Sequence, residues 1–349
     1  MSEIVIRPPY LIFVGTETRP TYVKTGLGLV DWRPELCKGQ LRLSDDAVDL
    51  GLPDLGLGEA LGSGVNSLVI GTAAVGGGIP EEWVETLVMA AELGIDIVAG
   101  LHSSLDEVKD LRAAADRSGA NLINVRKPPE NLPVGTGKKR TGKRVLMVGT
   151  DCAVGKKYTA LQLEKDMKKQ GMNADFRASG QTGILIAGRG IPIDSVVSDF
   201  VAGAAEMLSP DNSADHWDVI EGQGGLFHPG YAPVTVGLLM GSQPDAFVVC
   251  HEAGRNIIEG WDEYQTPSIA EVIERTKVIG GLTNPDIECV GVSVNTSPLK
   301  PENRTTYLSE LSAKLGLPCV DPLHTGAGPI VGKLQAISDA DQKALRQVS

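Results

Sequence analysis

Residues Gly149–Lys156 (GTDCAVGK) combine the residue types and spacing needed to bind a phosphate group. An apolar run, Val145–Val148, precedes them, and a helical pattern begins at about Lys156. A strand, a glycine-rich turn and a helix in this order present backbone N–H groups and a helix N-terminus to an anion. Gly149 and Gly155 let the backbone approach that anion, and Lys156 adds a positive charge. We therefore predict an anion-binding loop here.

Other polar residues follow predicted strands in the second half of the chain. Glu221, His251 and Asn295 each stand at a strand end, and His228 lies in the loop EGQGGLFHPG. Because the carboxyl ends of parallel strands share one edge of a sheet, Glu221 is expected near the ligand of the loop. Its carboxylate would hold Mg²⁺, orient Lys156 or act as a base; a carboxylate that only caps the next turn is the alternative.

Alternating strands and helices must position these residues. In the first half we predict strands Tyr10–Val14, Ser67–Ile70, Asp96–Ala99 and Asn121–Val125 and helices Glu81–Leu93 and Ser104–Arg117, with Val84, Leu87, Val88 and Ala91 facing inward. In the second half, beyond the strand Val145–Val148 and its helix, we predict strands Asp175–Ala178, Trp217–Ile220, Ala246–Cys250 and Cys289–Val294, and helices from about Ser195, over Ser268–Val278 and from Pro301. The helix from Ser195 would bury Val196, Val197, Phe200, Val201, Ala204 and Leu208.

This pattern predicts an α/β fold with two parallel-sheet domains, residues 1–127 and 144–349. Residues 128–143 are rich in Pro, Gly and Lys, have no periodicity and are expected to be a linker. The segment Gly71–Pro80 (GTAAVGGGIP) follows a strand, yet lacks the G-x-G-x-x-G pattern with its acidic residue, so a close-packing turn is favoured over a dinucleotide site.

Composition limits the possible partners and the compartment. The net charge of −12 argues against nucleic acid and against an anionic membrane surface. Five cysteines without paired spacing favour reduced thiols, and the sequence shows no signal-peptide pattern or membrane-spanning run, so we expect a cytoplasmic protein. We also expect a homo-oligomer that acts on a small molecule.

Three segments of the second half resemble dethiobiotin synthetase and its relatives. GTDCAVGK has their wider glycine spacing, VIEGQGG (Val219–Gly225) is similar to their VEGAGG loop, and GVSVNTSP (Gly291–Pro298) is similar to their G-x-x-x-N segment. The resemblance implies a P-loop NTPase-like second domain. It also implies that Glu221 stands where these proteins have a metal ligand, and that Asn295 reads an adenine edge.

A closer resemblance covers nearly the whole chain. WRPELCKGQLRL (Trp32–Leu43) and GGGIPEEW (Gly76–Trp83), followed by GTDCAVGK, SGQTG and EGQGGLFHPG, are similar to a family known as a domain of unknown function. Its characterised members are D-glutamate N-acetyltransferases, which use acetyl-CoA and act with a deacetylase in D-amino-acid catabolism. The resemblance implies a Rossmann-like first domain, a P-loop second domain and this reaction.

The loop departs from the usual pattern G-x-x-x-x-G-K-[ST]. Its glycines are one residue further apart, and Lys157 stands where a hydroxyl would bind Mg²⁺. This favours a ligand held by its phosphates, such as the diphosphate part of CoA, and no metal is expected. Thr150 or Thr159 still offers a hydroxyl, so an ATP- and Mg²⁺-dependent ligase or kinase stays the alternative, and a nucleotide-sensing module without catalysis is a third.

The predicted cofactor-binding residues are Gly149, Thr150, Asp151, Cys152, Ala153, Val154, Gly155, Lys156, Lys157 and Asn295.

Acetyl transfer to glutamate requires a base for the amine, donors for the oxyanion and cations for the carboxylates. The candidate bases are Glu221, His228 and His251, with His228 preferred as proton carrier. A covalent acetyl-Cys152 is the less favoured route, through a thiol whose pKa the helix N-terminus would lower. The candidate substrate-binding residues are Arg177, Gln181, Arg189 and Arg255, with Arg19 and Arg33 possible from the first domain.

Overall fold

The computed structural model describes residues 5–72 and 78–348. The chain divides into two compact units, the first made of Met1–Pro129 and Gly180–Ser195 and the second of Glu130–Ser179 and Val196–Ser349. Residues 180–195 thus group with the first unit, whereas the boundaries expected from the sequence place them in the second domain. Part of the glycine-rich turn expected over Gly71–Pro80 lies outside the described residues.

Within the described ranges, two parallel sheets form the centres of the two units. The sheet of the first unit has the order β2-β1-β3-β4-β5, and that of the second has the order β13-β12-β9-β6-β8-β7, while β10 and β11 form an antiparallel hairpin. The strands are β1 (Tyr10–Gly15), β2 (Cys37–Arg42), β3 (Ser67–Ile70), β4 (Asp96–Ala99), β5 (Leu122–Asn124), β6 (Lys143–Gly149), β7 (Ala174–Arg177), β8 (Trp217–Ile220), β9 (Ala246–Glu252), β10 (Ile257–Ile258), β11 (Trp261–Gln265), β12 (Glu288–Asn295) and β13 (Cys319–Val320).

Helices connect the parallel strands, as right-handed crossovers require. They are α1 (Lys24–Trp32), α2 (Leu57–Gly62), α3 (Glu81–Glu92), α4 (Lys109–Ser118), α5 (Lys156–Lys169), α6 (Gln181–Ala187), α7 (Val201–Leu208), α8 (Ala232–Ser242), α9 (Ile269–Gly280), α10 (Pro301–Leu315) and α11 (Gly328–Val348). No helix among the described residues is both long and apolar enough to cross a bilayer.

The core of the first unit forms between its sheet and the helices α3 and α4. The rings of Phe13 and Trp83 meet edge to face with centroids 5.3 Å apart. Gly15 is required beside them, because a Cβ there would lie 2.5 Å from the Trp83 ring. Helix α3 buries Trp83, Leu87, Ala90 and Ala91, whereas Val84 and Val88, expected to face inward, are half-buried.

Most residues of the second unit's sheet are apolar and buried, as expected for parallel strands covered by helices, with the buried charged residues Arg144, Arg177 and Asp218 as exceptions. Strand β6 lies between β9 and β8, and Val145–Val148 in it are at most 1 % exposed. Since all six strands run parallel, the carboxyl ends of β6, β8, β9 and β12 meet at one edge. This edge carries the phosphate loop and the residues expected beside it.

Residues 130–143 pack onto the second unit and do not form a free linker. The Arg140 guanidinium donates to the carbonyl oxygens of Ser209, Gly241 and Ser242 at 2.7–3.0 Å. The Glu206 carboxylate accepts from the backbone N–H groups of Thr136 and Gly137, each at 2.8 Å. Because these partners are far apart in sequence, the Pro/Gly/Lys composition does not reveal them.

Two local expectations differ from the structure. The helix expected from about Ser195 begins at Val201 and is preceded by a short 3₁₀ turn, Ser198–Phe200. Val197, expected to be buried, lies outside the helix and is 67 % exposed, and Val196 and Phe200 are half-buried. The sequence analysis also did not predict the helices α1, α2, α6, α8 and α11 or the strands β2, β10, β11 and β13. The edge strand β2, with the sequence CKGQLR, has no clear alternation of apolar and polar residues.

Candidate phosphate-binding site

The loop between β6 and α5 adopts a backbone conformation that depends on its glycines. Gly155, immediately before α5, has φ +98°, and Ala153 has φ +54°. A Cβ on Gly149 would lie 2.8 Å from the Asp151 carbonyl oxygen and 2.9 Å from Lys156 Nζ. Helix α5, 14 residues long, begins at the end of the loop. The first backbone N–H groups of a helix have no partner within it, so they are offered to an anion here. The geometry is that of an anion cradle.

Lys156 points its ammonium into this cradle. The residue is 7 % exposed, and Nζ donates to the Asp151 carbonyl oxygen at 2.8 Å. Burial lowers the pKa of Lys156. The aliphatic stem packs beside Gly222, where a Cβ would lie 3.0 Å from Lys156 Cδ and only 1.6 Å from the Met147 carbonyl oxygen. The loop after β8 therefore contacts the phosphate loop directly, and position 222 requires glycine.

The Asp151 side chain organises the loop from within. It is fully buried, and its Oδ2 accepts hydrogen bonds from Arg255 Nη1 at 3.0 Å and from the Glu259 backbone N–H at 2.9 Å. Arg255 also donates to the Cys152 carbonyl oxygen at 2.9 Å and to the Glu252 carboxylate at 2.8 Å. Arg255 is thus a tether for the loop, which differs from the substrate-binding role expected for it.

Glu221 ends strand β8 at the same edge. It is 4 % exposed, and its Oε2 accepts from the Ser179 backbone N–H at 3.0 Å, while Ser179 Oγ donates to the Glu221 carbonyl oxygen at 2.6 Å. Two strand ends, β7 and β8, are tied together by these bonds. Its position beside Gly222 and Lys156 agrees with the expected proximity to the loop.

A contact with the Thr150 side chain links His251 to the loop. The Thr150 hydroxyl and His251 Nδ1 are 3.1 Å apart, and burial lowers the pKa of His251. An imidazole with a lowered pKa is neutral at pH 7, which a proton acceptor requires. Asn295, on the neighbouring strand β12, donates to Glu252 Oε2 at 3.0 Å and accepts from the Ser297 N–H at 3.1 Å.

His228 lies in a small aromatic cluster formed with Tyr231 and Trp261. Its ring centroid is 4.6 Å from that of Tyr231 and 4.5 Å from that of Trp261. The residue is 1 % exposed, and Nδ1 accepts from the N–H groups of Gly230 at 3.1 Å and Tyr231 at 3.2 Å. Burial lowers the pKa of His228.

Asp151, Cys152 and His228 place their possible ligand atoms within 4.8 Å of one another. The Asp151 carboxylate already accepts from Arg255, whose positive charge opposes a cation at this point. His228 Nδ1 faces two N–H donors, so the ring lacks the outward N–H···O bond that usually orients a metal-bound histidine. These residues do not fit a metal ion.

The hydroxyl groups considered as Mg²⁺ ligands are engaged elsewhere. Thr159 is 2 % exposed and donates to the Gly155 carbonyl oxygen at 3.0 Å, and its Oγ1 lies 2.7 Å from Ser293 Oγ. Thr150 is fully buried against His251. Lys157, in the position of the usual hydroxyl, extends its ammonium over the Tyr158 ring, 4.5 Å from the centroid. Neither hydroxyl nor Lys157 thus points to a Mg²⁺ site, whereas the Glu221 carboxylate beside the loop keeps the metal-ligand role implied by the resemblance as a prediction.

Comparison with known proteins identifies the family. A model described as a domain of unknown function, a P-loop domain (DUF1611_C), matches residues 133–331, and one described as a Rossmann-like domain (DUF1611_N) matches residues 40–128. The chain belongs to the DUF1611 family. The resemblance and the two-domain α/β fold class derived from the sequence are confirmed.

Curated relatives and a solved structure extend this result. A protein named D-glutamate N-acetyltransferase from Tritonibacter scottomollicae is 46 % identical over 333 residues, 95 % of this chain and 100 % of the relative. One of the same name from Pseudoalteromonas sp. is 46 % identical over 329 residues, covering 94 % and 99 %. The crystal structure of a DUF1611 family protein from Anabaena variabilis has a TM-score of 0.86 at 31 % identity and covers 95 % of this chain and 100 % of its own.

Several expected site residues of this DUF1611 protein have other structural roles. Arg177 Nε donates to Asp218 Oδ1 at 2.6 Å, and the two side chains are 5 % and 1 % exposed. Arg177 therefore balances a buried carboxylate within the sheet, and its expected role in substrate binding stays a prediction. In the first unit, Arg19 pairs with Glu17 at 2.8 Å and Arg33 with Glu35 at 2.6 Å.

Gln181 and Arg189 both belong to the first unit. Gln181 begins α6, and its Oε1 lies so close to Gly100 that a Cβ there would be 2.4 Å away. Arg189 is exposed just after the same helix. Neither observation tests a role in substrate binding, which stays a prediction for both residues.

The Cys152 thiol has a raised pKa, whereas its place in the loop suggested a lowered one. Burial raises the pKa of its thiol, with a smaller opposing effect from Lys156. The predicted lowering by the helix N-terminus is therefore wrong, and a raised pKa disfavours the thiolate that a covalent acetyl-enzyme needs.

The sequence analysis did not single out three residues that surround the site. Glu259, Tyr231 and Trp261 contact Asp151 or His228, yet they were not singled out. Trp261 is one of only 4 tryptophans in a chain with 4 % aromatic residues, and this scarcity was a usable signal. Its position on the hairpin β10–β11 was not visible in the DUF1611 sequence alone.

Proposed function

We propose that this chain is a D-glutamate N-acetyltransferase, which moves an acetyl group from acetyl-CoA to the amine of D-glutamate. The observation that supports the proposal is 46 % identity to two curated proteins of that name, over 95 % and 94 % of this chain. The identity extends over both domains, so it is not limited to a shared cofactor module. Fold alone would not support a specific activity.

The proposed role of the loop is to hold the diphosphate of CoA. The N-terminus of α5, the cradle around Gly149 and the Lys156 ammonium form a donor set suited to phosphate oxygens. Acetyl-CoA supplies the activated thioester, and the loop residues bind and orient it. The proposal assigns no step to a metal ion.

The amine of D-glutamate must lose a proton before it attacks the thioester carbonyl. His251 is our proposed base, since its lowered pKa keeps the ring neutral at pH 7 and Thr150 Oγ1 is 3.1 Å from Nδ1. If Nδ1–H donates to that hydroxyl, Nε2 carries the lone pair that accepts the proton. Glu221 is proposed to hold the end of β7 through Ser179 and to orient Lys156.

The carboxylates of the acceptor need cationic or amide partners. Among the residues expected from the sequence, Arg189 and Gln181 remain proposed for this role, while Arg177 and Arg255 serve Asp218 and Asp151. Arg189→Ala is expected to raise KM for D-glutamate with little effect on KM for acetyl-CoA. An equal effect on both would contradict the assignment.

The activity is tested by incubating the pure protein with acetyl-CoA and a panel of D- and L-amino acids, including D-glutamate and L-glutamate. Free CoA thiol and the mass of the N-acetyl product are followed together. We expect turnover with D-glutamate and little with L-glutamate. Turnover with none of the panel would contradict the proposal. Thermal stabilisation by Mg-ATP and not by acetyl-CoA would favour the ligase or kinase alternative.

The expected cellular compartment and oligomeric state remain proposals. We propose a cytoplasmic location, supported by the five cysteines, all of which are free in the structure. We also propose that the chain forms a homo-oligomer. Light scattering of the purified chain tests the oligomeric state, and fractionation of the source cells tests the compartment.

A further inference from the structure

His228 has one ring nitrogen engaged twice and the other not at all. Nδ1 accepts hydrogen bonds from the backbone N–H groups of Gly230 and Tyr231 at 3.1 and 3.2 Å. Nε2 is buried and has no hydrogen-bond partner among the described residues. A buried polar atom without a partner is unfavourable, so one is expected to be supplied by something that the site binds.

The two backbone donors determine the tautomer of the ring. A backbone N–H can only donate, so Nδ1 must present its lone pair to Gly230 and Tyr231. A neutral imidazole carries a single N–H, which then resides on Nε2. For Nε2 to accept a proton or bind a metal, the ring hydrogen would first have to move to Nδ1. There it would point at the backbone N–H groups of Gly230 and Tyr231, and both hydrogen bonds would be lost. His228 is therefore unsuited to the proton-carrier role expected from the sequence.

The surroundings also favour the neutral ring. The charged or titratable groups that face it are the side chains of Asp151 and Cys152 in the loop, Lys156 on α5, Glu259 in the turn between β10 and β11, and Tyr231, whose ring packs against it. The Asp151 carboxylate is balanced by Arg255 at 3.0 Å. Burial dominates over these charges and lowers the pKa of His228.

A phosphate oxygen is the partner that this position suggests. A ring nitrogen of His228 lies within 4.8 Å of Asp151 and Cys152 in the anion loop. Lys156 Nζ donates to the Asp151 carbonyl oxygen, so an entering anion competes for that ammonium and changes the contacts of the loop next to His228. We propose that His228 is a fixed neutral hydrogen-bond donor whose Nε2–H binds an oxygen of the diphosphate held by this loop. Only the naming of CoA as the ligand rests on the proposed function.

The tautomer is read from ¹⁵N chemical shifts of the wild-type protein labelled with [¹⁵N]histidine. The His228 signals are those missing from His228→Gln. We expect an unprotonated Nδ1 and a protonated Nε2 throughout about pH 6 to pH 8, around the ordinary histidine pKa. An Nδ1–H tautomer or an imidazolium in this range would overturn the proposal, and neither result depends on any activity.

The donor role is measured by calorimetric titration with CoA and with ADP. His228→Phe keeps an aromatic ring and removes the donor, so both ligands should bind about 10- to 100-fold more weakly, the range for a hydrogen bond to a charged group. His228→Gln, which retains an N–H, should recover part of this loss. His324→Gln is the control, because His324 is exposed and its ring contacts Arg304.

The outcomes separate the two proposals. Unchanged affinity of His228→Phe for both ligands overturns the donor role, even if the wild type acetylates D-glutamate. Wild-type protein that binds neither CoA nor ADP also overturns it. If the wild type binds CoA, loses this affinity in His228→Phe and yet acetylates no amino acid, the donor role stands and the proposed function fails.

Discussion

Arg255 Nη1 lies 3.0 Å from Asp151 Oδ2, and this contact ties the phosphate loop to the chain that follows strand β9. The Asp151 side chain is fully buried and that of Arg255 is 14 % exposed, so the pair is only weakly screened by solvent. The contact makes Arg255 a structural part of the anion site.

Arg255→Ala should destabilise the protein, because it removes a charged donor from a buried carboxylate. We expect a loss of about 1.5–3 kcal/mol in the free energy of unfolding, together with weaker CoA binding. Urea unfolding and calorimetry measure the two effects. Arg117→Ala is the control, since its ion pair with Glu92 is exposed on both sides (62 % and 51 %) and should matter by less than about 1 kcal/mol. Equal stability of the two variants would refute the role.

Gly222→Ala should be poorly tolerated, because a Cβ there would lie 1.6 Å from the Met147 carbonyl oxygen in strand β6. The backbone must shift, at about 3 kcal/mol or more in stability, and the phosphate loop shifts with it. Gly225→Ala is a matched control in the same loop, where the nearest atom to a Cβ is 3.4 Å away. Thermal unfolding compares the two variants, and Gly222→Ala should have the lower melting temperature. Similar melting temperatures would contradict this geometry.

Lys156→Ala should weaken CoA binding by about 10- to 100-fold, as expected for losing a charged donor to phosphate. The folded protein should lose little stability, because the desolvated ammonium, with its lowered pKa, is itself costly to bury. Lys157→Ala should have the smaller effect on affinity, since its ammonium lies over the Tyr158 ring. Calorimetric titration with CoA compares the two; the reverse ranking would show that Lys157 is the main phosphate ligand.

Cys152→Ser should retain substantial turnover, because the raised pKa of the Cys152 thiol argues against a covalent acetyl-enzyme. Intact-protein mass after incubation with acetyl-CoA and without acceptor should show no added acetyl group. An acetyl group located on Cys152, together with an inactive serine variant, would establish the covalent route.

Acidification should destabilise the fold below about pH 6.5. Burial lowers the pKa values of His228 and His251 from the ordinary value of 6.5. Below pH 6.5 the unfolded chain takes up protons that these two folded-state rings do not, so the free energy of unfolding falls as the pH drops toward their lowered pKa values. Urea unfolding at a series of pH values measures the slope, which should be smaller in His251→Gln. A slope that this substitution leaves unchanged would exclude His251 as a contributor.

Much of the fold followed from local sequence patterns. The run Val145–Val148, the glycine spacing and the start of a helix at Lys156 agree with β6, the loop and α5. The apolar runs also predicted other strands, such as Trp217–Ile220, with nearly correct limits. The helix expected at Ser195 and the missed strand β2 lie where the pattern is weak.

What the sequence by itself determined was the α/β class, the anion loop and the family, because strands, turns and glycine-dependent backbones are set by residues close together in the chain. Only the tertiary structure decided which charged and polar groups meet. Arg177 is 41 residues from Asp218, and Arg255 is 104 residues from Asp151, so composition could not distinguish these ion pairs from substrate clamps. The same holds for His228, whose chemistry depends on which of its ring nitrogens meets the backbone once the loop has folded.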